Sequence, residues 1–303
     1  MIKVLPGPNS KLEEYFPFVD VDFIISDIDG TLISGSDSII KQIKNKIKNL
    51  RQQKVQITVA TGRNFYGTKM LLQDLEIKTG MPIALYNGGV VMEFGTENVL
   101  YKRIIDCNDV KRLLHDLLLI TRLIYIYTFE IRLNIFEEKK ENFVIEKVYC
   151  IEMENYGYDV NGMRVEKIGI SEIEDIPVIS ILISKKGLSN KEIKKILENL
   201  ENNDRISFTD SGNGYIEIKA NGLNKSIIFE MLKNQNKYQA NKILAIGDND
   251  NDEELFKYAD ISVAVANSSA VAIEMANYIC ENESANGFLD MLNVLKTAKK
   301  YCR

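Results

Sequence analysis

The stretch Phe23-Ile24-Ile25-Ser26-Asp27-Ile28-Asp29-Gly30-Thr31-Leu32 decides the fold. Its first half is apolar and β-branched, and it breaks at an acidic pair followed by glycine. That pattern predicts a buried strand running into a loop. Downstream, Ile40, Ile43, Ile47 and Leu50 recur at helical spacing, so a helix is expected over about 37–53. The lysines between Lys41 and Lys54 then form its solvated face. A second apolar run, Gln56-Ile57-Thr58-Val59-Ala60, ends at Thr61-Gly62-Arg63, and a helix pattern covers about 64–76. A third run, Pro82-Ile83-Ala84-Leu85-Tyr86, ends at Asn87-Gly88-Gly89. Strands apolar along their whole length, alternating with helices, imply a parallel sheet covered on both faces.

Beyond residue 90 the pattern changes. A hairpin is expected over 90–104, a helix over about 108–122, and two strands near 125–137. The charged stretch that follows, 138–175, carries no clear periodicity. A strand is expected at Val178–Ser184, a helix at 189–202, and strands at 205–210 and 215–220. The opening pattern returns with a helix at 223–235 and a strand at Lys242–Ile246 ending in Gly247-Asp248, then short strands at Ile261–Val265 and Tyr278–Cys280. The fold expected is α/β, with a discontinuous core domain (1–91 and 211–303) interrupted by an inserted α+β domain (92–210). Residues 1–20, which hold three of the five prolines, read as an irregular leader.

Composition narrows the chemistry. The 303 residues carry 38 Lys plus Arg against 43 Asp plus Glu, a net charge of −5. With one histidine, His115, a His-rich zinc site is impossible, and any triad would have to use a residue in the middle of a helical pattern. Acid–base work falls to carboxylates. Cys107, Cys150, Cys280 and Cys302 are scattered, with no metal-binding spacing, and read as free thiols of a reducing compartment. There is no signal-peptide pattern, and the most lipid-like stretch, Leu113–Tyr127, is short and holds His115, Asp116 and Arg122. The expectation is a cytoplasmic protein that binds neither membrane nor nucleic acid.

In open α/β sheets ligands bind beyond the carboxyl ends of the strands. Asp27 and Asp29 leave the first strand there, Thr61 and Gly62 the second, and Asp248, Asn251 and Asp252 a later one. Carboxylates gathered at one sheet edge make a hard oxygen site suited to Mg²⁺. The string Asp248–Asp252 also resembles the start of a calcium loop, but the sixth position is Glu253 instead of Gly and the twelfth is Ala259 instead of Glu. No phosphate-binding GxxxxGK[ST] or GxGxxG sequence occurs.

Together and in this order, Asp27-Ile28-Asp29-Gly30-Thr31-Leu32, Thr61-Gly62-Arg63, Lys225 and Gly247-Asp248-Asn249-Asp250-Asn251-Asp252 resemble the haloacid dehalogenase superfamily, and within it the Cof-type phosphatases. Ala259–Asn267 and Ala285–Phe288 resemble further family segments, although Ala285-Asn286-Gly287 lacks the usual Asp before Gly. The resemblance implies a Rossmann-like core with an inserted α/β cap that selects the substrate. It implies Asp27 as nucleophile, forming an aspartyl-phosphate, and Asp29 as general acid and then base. Mg²⁺ would lie on Asp27, Asp248 and the Asp29 carbonyl. Thr61, Gly62, Lys225 and Asn251 would hold the phosphate, and Asp252 would support Lys225 or a water. The expected function is hydrolysis of a small phosphorylated metabolite, a sugar phosphate or a phosphorylated cofactor. The alternatives are a phosphosugar mutase of the same superfamily and a catalytically silent metabolite-binding regulator.

Overall fold

A computed structural model describes residues 2–33, 36–136, 139–151, 159, 162–210, 214–234, 238 and 240–301; Cys302 lies outside them. The strands, in chain order, are β1 (Lys3–Val4), β2 (Phe23–Ser26), β3 (Gln56–Val59), β4 (Pro82–Leu85), β5 (Val90–Glu93), β6 (Val99–Lys102), β7 (Ile124–Phe136), β8 (Lys139–Cys150), β9 (Val165–Lys167), β10 (Val178–Ser184), β11 (Ile206–Asp210), β12 (Tyr215–Ala220), β13 (Ile243–Gly247), β14 (Ile261–Ala264) and β15 (Tyr278–Ile279). The helices are α1 (Asp37–Gln52), α2 (Phe65–Asp74), α3 (Cys107–Leu117), α4 (Asn190–Glu201), α5 (Ile227–Asn234), α6 (Glu253–Tyr258), α7 (Ala270–Met275) and α8 (Ser284–Lys300). They form two compact units: Met1–Thr61, Leu71–Ala84 and Asn224–Arg303 make the first, and Gly62–Met70 with Leu85–Leu223 the second.

The first unit is built on a six-stranded sheet in the order β1-β15-β14-β13-β2-β3, with every pair parallel. Chain order runs outward from β2 in opposite directions, to β3 on one side and from β13 to β15 on the other. The crevice of such a sheet opens where the order reverses, between β2 and β13. All four residues of β2 and all five of β13 are buried, as expected for strands covered on both faces. Helix α1 turns Ile43, Ile47 and Leu50 inward at i, i+4 and i+7 and packs against α8.

Several expectations need correction here. The leader is ordered: β1 pairs with β15 at the sheet edge, and a 3-10 turn over Leu12–Phe18 packs on α8. Phe18 is fully buried with its ring 4.9 Å from that of Tyr278, and the Tyr15 hydroxyl donates to the Gly7 carbonyl at 2.6 Å. An edge strand left bare would expose unpaired backbone groups, and the leader covers them. The third apolar run, β4, is not a member of the six-stranded sheet; a single parallel bridge, Ala60–Ala84, ties it to β3.

The second unit contains a six-stranded sheet in the order β11-β12-β10-β7-β8-β9, antiparallel except for the β8–β9 pair. Alternation splits its faces. Ile124, Ile126, Ile181, Ile183, Ile216 and Ile218 join Val110, Leu113 and Leu114 of α3 and Ile196 and Leu200 of α4 in one core. The other face carries Tyr127, Ser180, Glu217 and Lys219, all buried. The charged stretch after Phe136 begins with β8, paired in register with β7 from Phe136–Lys139 to Ile126–Tyr149. His115 lies exposed on α3 beside Asp116.

Candidate active site

The register of the parallel sheet places the acidic loops side by side. Ile246 pairs with Ser26, and the Asp27 N–H donates to the Ile246 carbonyl at 2.9 Å, so Asp27 and Asp248 leave neighbouring strands level with each other. The loop after β2 turns back at Gly30, whose φ of +79° is the left-handed region that glycine occupies freely. A Cβ at this position would sit 2.2 Å from Asp248 Oδ2, so the backbone of this loop lies directly on the Asp248 carboxylate. Thr31 donates its hydroxyl to Asp248 Oδ1 at 3.0 Å. This contact was not anticipated, although Thr31 belongs to the quoted motif.

Lys225 holds the cluster together. It lies in the turn two residues before α5, which begins four residues later than the expected 223, and is only 1% exposed. Its ammonium donates to Asp27 Oδ1 at 2.6 Å, to Asp252 Oδ1 at 2.7 Å and to Asn251 Oδ1 at 3.2 Å. Asp252 is fully buried and spends its other oxygen on the backbone N–H groups of Asp248, at 2.9 Å, and Asn249, at 3.1 Å. One carboxylate oxygen each from Asp27, Asp248 and Asp252 lies within 4.8 Å of the others.

Three carboxyl groups, Asp27 and Asp252 buried and Asp248 half-buried, share the one ammonium of Lys225, an excess of acid over base. The electrostatics show the strain. Burial pushes the Asp27 carboxyl well above its ordinary range, with Asp252 and Asp248 adding to the rise and Lys225 opposing it. Burial and then Asp252 push Asp248 up to about 6. Burial works against the charge on Lys225, but Asp252 and Asp27 outweigh it and hold the ammonium above its usual value. A hard divalent cation on oxygen ligands would remove this imbalance, so the donor set fits a divalent cation. Asp252 has both oxygens committed to Lys225 and the backbone, which leaves Asp27 and Asp248 as the carboxylates suited to the ion.

The other expected residues differ in placement. Asp29 is exposed, unlike Asp27 two positions earlier. Thr61 is buried at the end of β3 on the same sheet edge, since Val59 pairs with Ser26 and the Ala60 N–H donates to the Ser26 carbonyl at 2.9 Å. Gly62 follows Thr61 in the chain and belongs by its neighbours to the second unit.

The sequence pattern of the haloacid dehalogenase-like hydrolases matches residues 24–292. The chain belongs to this family. The match spans both acidic loops and Lys225, and it agrees with the Cof-type motifs read from the sequence. Among relatives, this hydrolase is 25% identical over 285 residues to a 5-amino-6-(5-phospho-D-ribitylamino)uracil phosphatase of Bacillus subtilis, covering 89% of this chain and 97% of that one. It is 23% identical to a phosphoglycolate phosphatase of Methanobrevibacter smithii, covering 89% and 96%. Its fold is that of a haloacid dehalogenase-like hydrolase from Bacteroides thetaiotaomicron, with a TM-score of 0.67 at 18% identity over 91% of this chain and 99% of the other. No helix among the described residues is long and apolar enough to cross a membrane.

Proposed function

We propose that this hydrolase is a divalent-cation-dependent phosphatase acting on a small phosphorylated metabolite. The observation that carries the reading is the buried Lys225 ammonium bonded at once to Asp27 and Asp252, beside Asp248. Relatives of similar length bear the names of phosphatases with unlike leaving groups, a ribitylaminouracil and a glycolate, which supports the class of reaction and leaves the substrate to be found.

The chemistry follows from the residues. A carboxylate oxygen of Asp27 attacks phosphorus, the bond from phosphorus to the ester oxygen breaks, and Asp27 carries the phosphoryl group as an acyl phosphate. Asp29, exposed and two residues on, gives its proton to the departing oxygen. It then takes a proton from the water that attacks phosphorus and frees Asp27. Lys225 neutralises charge on the phosphoryl oxygens as a point charge, held in place by Asp252 and Asn251. The Thr61 hydroxyl and the Gly62 N–H supply further donors. Mg²⁺, held by Asp27, Asp248 and the Asp29 carbonyl, would supply charge neutralisation of the phosphoryl group. The second unit serves as the cap that selects the leaving group.

The test is phosphate release from a panel of phosphomonoesters with Mg²⁺, for the wild type and Asp27→Asn. The substitution is expected to lower turnover at least about 10³-fold, roughly 4 kcal/mol of barrier. A variant that keeps its turnover refutes the nucleophile, and a wild type that releases no phosphate from any ester refutes the reaction.

A further inference from the structure

Two glutamates of the antiparallel sheet, Glu217 buried and Glu146 half-buried, have no part in the reaction above, yet one bonds the start of the segment that follows Thr61 and the other bonds a side chain packed against it. Glu217 of β12 is 9% exposed. Its Oε2 accepts from Asn87 Nδ2 at 2.6 Å and its Oε1 from the Ser180 hydroxyl at 3.1 Å. Asn87 is itself 3% exposed and sits at φ 50°, ψ 40°, a left-handed conformation that asparagine tolerates at some cost. The amide it presents lies against Gly62: a Cβ on Gly62 would come within 3.0 Å of Asn87 Nδ2. The backbone fixes the same approach, since the Tyr86 N–H donates to the Arg63 carbonyl at 3.1 Å.

Glu146 of β8 acts on the next residues along. One oxygen accepts from the Phe65 N–H at 2.8 Å and from the Tyr86 hydroxyl at 2.7 Å; the other accepts from the Tyr66 N–H at 2.7 Å. These N–H groups open α2 and have no partner within the helix, so a carboxylate placed there satisfies two orphan donors and complements the helix dipole. Tyr86 is buried and its ring packs edge-on against Tyr127 and Phe129 of β7. Thus one glutamate fixes the Asn87 amide that lies against Gly62, and the other holds the start of α2 directly and also accepts from Tyr86, whose N–H bonds the Arg63 carbonyl.

We infer that Glu217 and Glu146 are positioning residues for phosphate binding: through Asn87, Tyr86 and the first N–H groups of α2 they set the backbone of Gly62 and its neighbours in the orientation that receives a phosphate oxygen. This rests on the proposed role of the Gly62 N–H. It differs from a contact with the leaving group, because it acts on the part that every phosphomonoester shares.

The test reads inorganic phosphate, the common product, as the probe. Its dissociation constant is measured by calorimetry on the full chain with Mg²⁺, alongside KM and kcat for two phosphomonoesters with unlike leaving groups. Glu217→Gln keeps the shape but replaces one acceptor with a donor, and Glu146→Gln does the same. Each is expected to weaken phosphate binding about tenfold, the loss of roughly one charge-assisted hydrogen bond, and to raise both KM values by a similar factor. Ser180→Ala and Tyr86→Phe remove one supporting hydroxyl each and are expected to move phosphate affinity the same way by a smaller factor. They keep the test decisive if a glutamate variant does not fold. Variants that lower the melting temperature while phosphate affinity stays at the wild-type value overturn the inference, and so does a KM change confined to one ester. A wild type that neither binds phosphate nor turns over instead refutes the phosphatase reading itself. Wild-type turnover with unchanged phosphate affinity in the variants refutes the positioning role alone.

Discussion

Asp27, Lys225 and Asp252 form a chain of charge buried almost completely, and each member constrains what can replace the others. Lys225→Met is expected to destabilise the protein by about 3–5 kcal/mol as well as to abolish turnover, because it leaves two buried carboxylates without their cation. A urea titration of the variant checks it; unchanged stability would show that Lys225 is not the counter-charge. Asp27→Asn removes one negative charge from a site with an excess of them, so it is expected to remain folded while losing activity. The raised carboxyl groups of Asp27 and Asp248 set a pH dependence of unusual sign. A carboxyl whose value is raised by folding holds its proton more tightly in the native chain, so without a cation the Asp248 contribution is present below about pH 4 and is lost as pH rises through about 6, and Asp27 acts in the same direction. A divalent ion competes with those protons. Mg²⁺ is therefore expected to raise the melting temperature more at about pH 7.5 than at about pH 5, relative to chelator. Equal shifts at both values would count against ligation by these two groups.

At the scale of elements, how readable the sequence is follows from burial. Strands β2 and β13 are covered on both faces, so they appear as largely apolar runs, and the acidic loops that follow them are legible in the sequence. Strand β8 was hidden because Lys139-Lys140-Glu141-Asn142 lacks the alternation of a half-buried strand; its pairing comes from β7 across the hairpin. Helix α8 buries nine residues, among them Phe288, Met291, Leu292 and Leu295, yet one of them, Gly287 in its first turn, reads as a break. The Asn87 and Glu217 pair left no local signal, since 130 positions separate the two residues. The leader was unreadable for a related reason: its two-residue strand is formed by β15, not by its own propensity. Phe18→Ala is expected to cost about 3–5 kcal/mol, from the cavity left beside Tyr278. A melting temperature unchanged by this substitution, measured by calorimetry, would mean that the leader is decoration.

Over the whole molecule, the two units are threaded differently. Apart from Gly62–Met70, the second unit is continuous from Leu85 to Leu223. The first is assembled from three separated pieces, and its charged centre joins Asp27 to residues more than 190 positions away. Contacts of such long sequence separation form late, because the chain entropy of closing the loop comes before any reward. The second unit is therefore expected to gain protection from hydrogen exchange before the first during refolding, as pulse labelling would show; protection of β2 ahead of β10 and β12 would contradict this.

The sheet order has a consequence for the protein as it is made. Strand β2 leaves the ribosome about 220 residues ahead of its neighbour β13, and the edge strand β1 waits still longer for β15. At ordinary elongation rates of about 5–20 residues per second, the strand Phe23–Ser26 spends at least about ten seconds with one flank bare. During that interval β3 is the neighbouring strand of its own sheet already made. A nascent chain stalled before residue 240 should accordingly be held by chaperones, and one released beyond residue 280 should not.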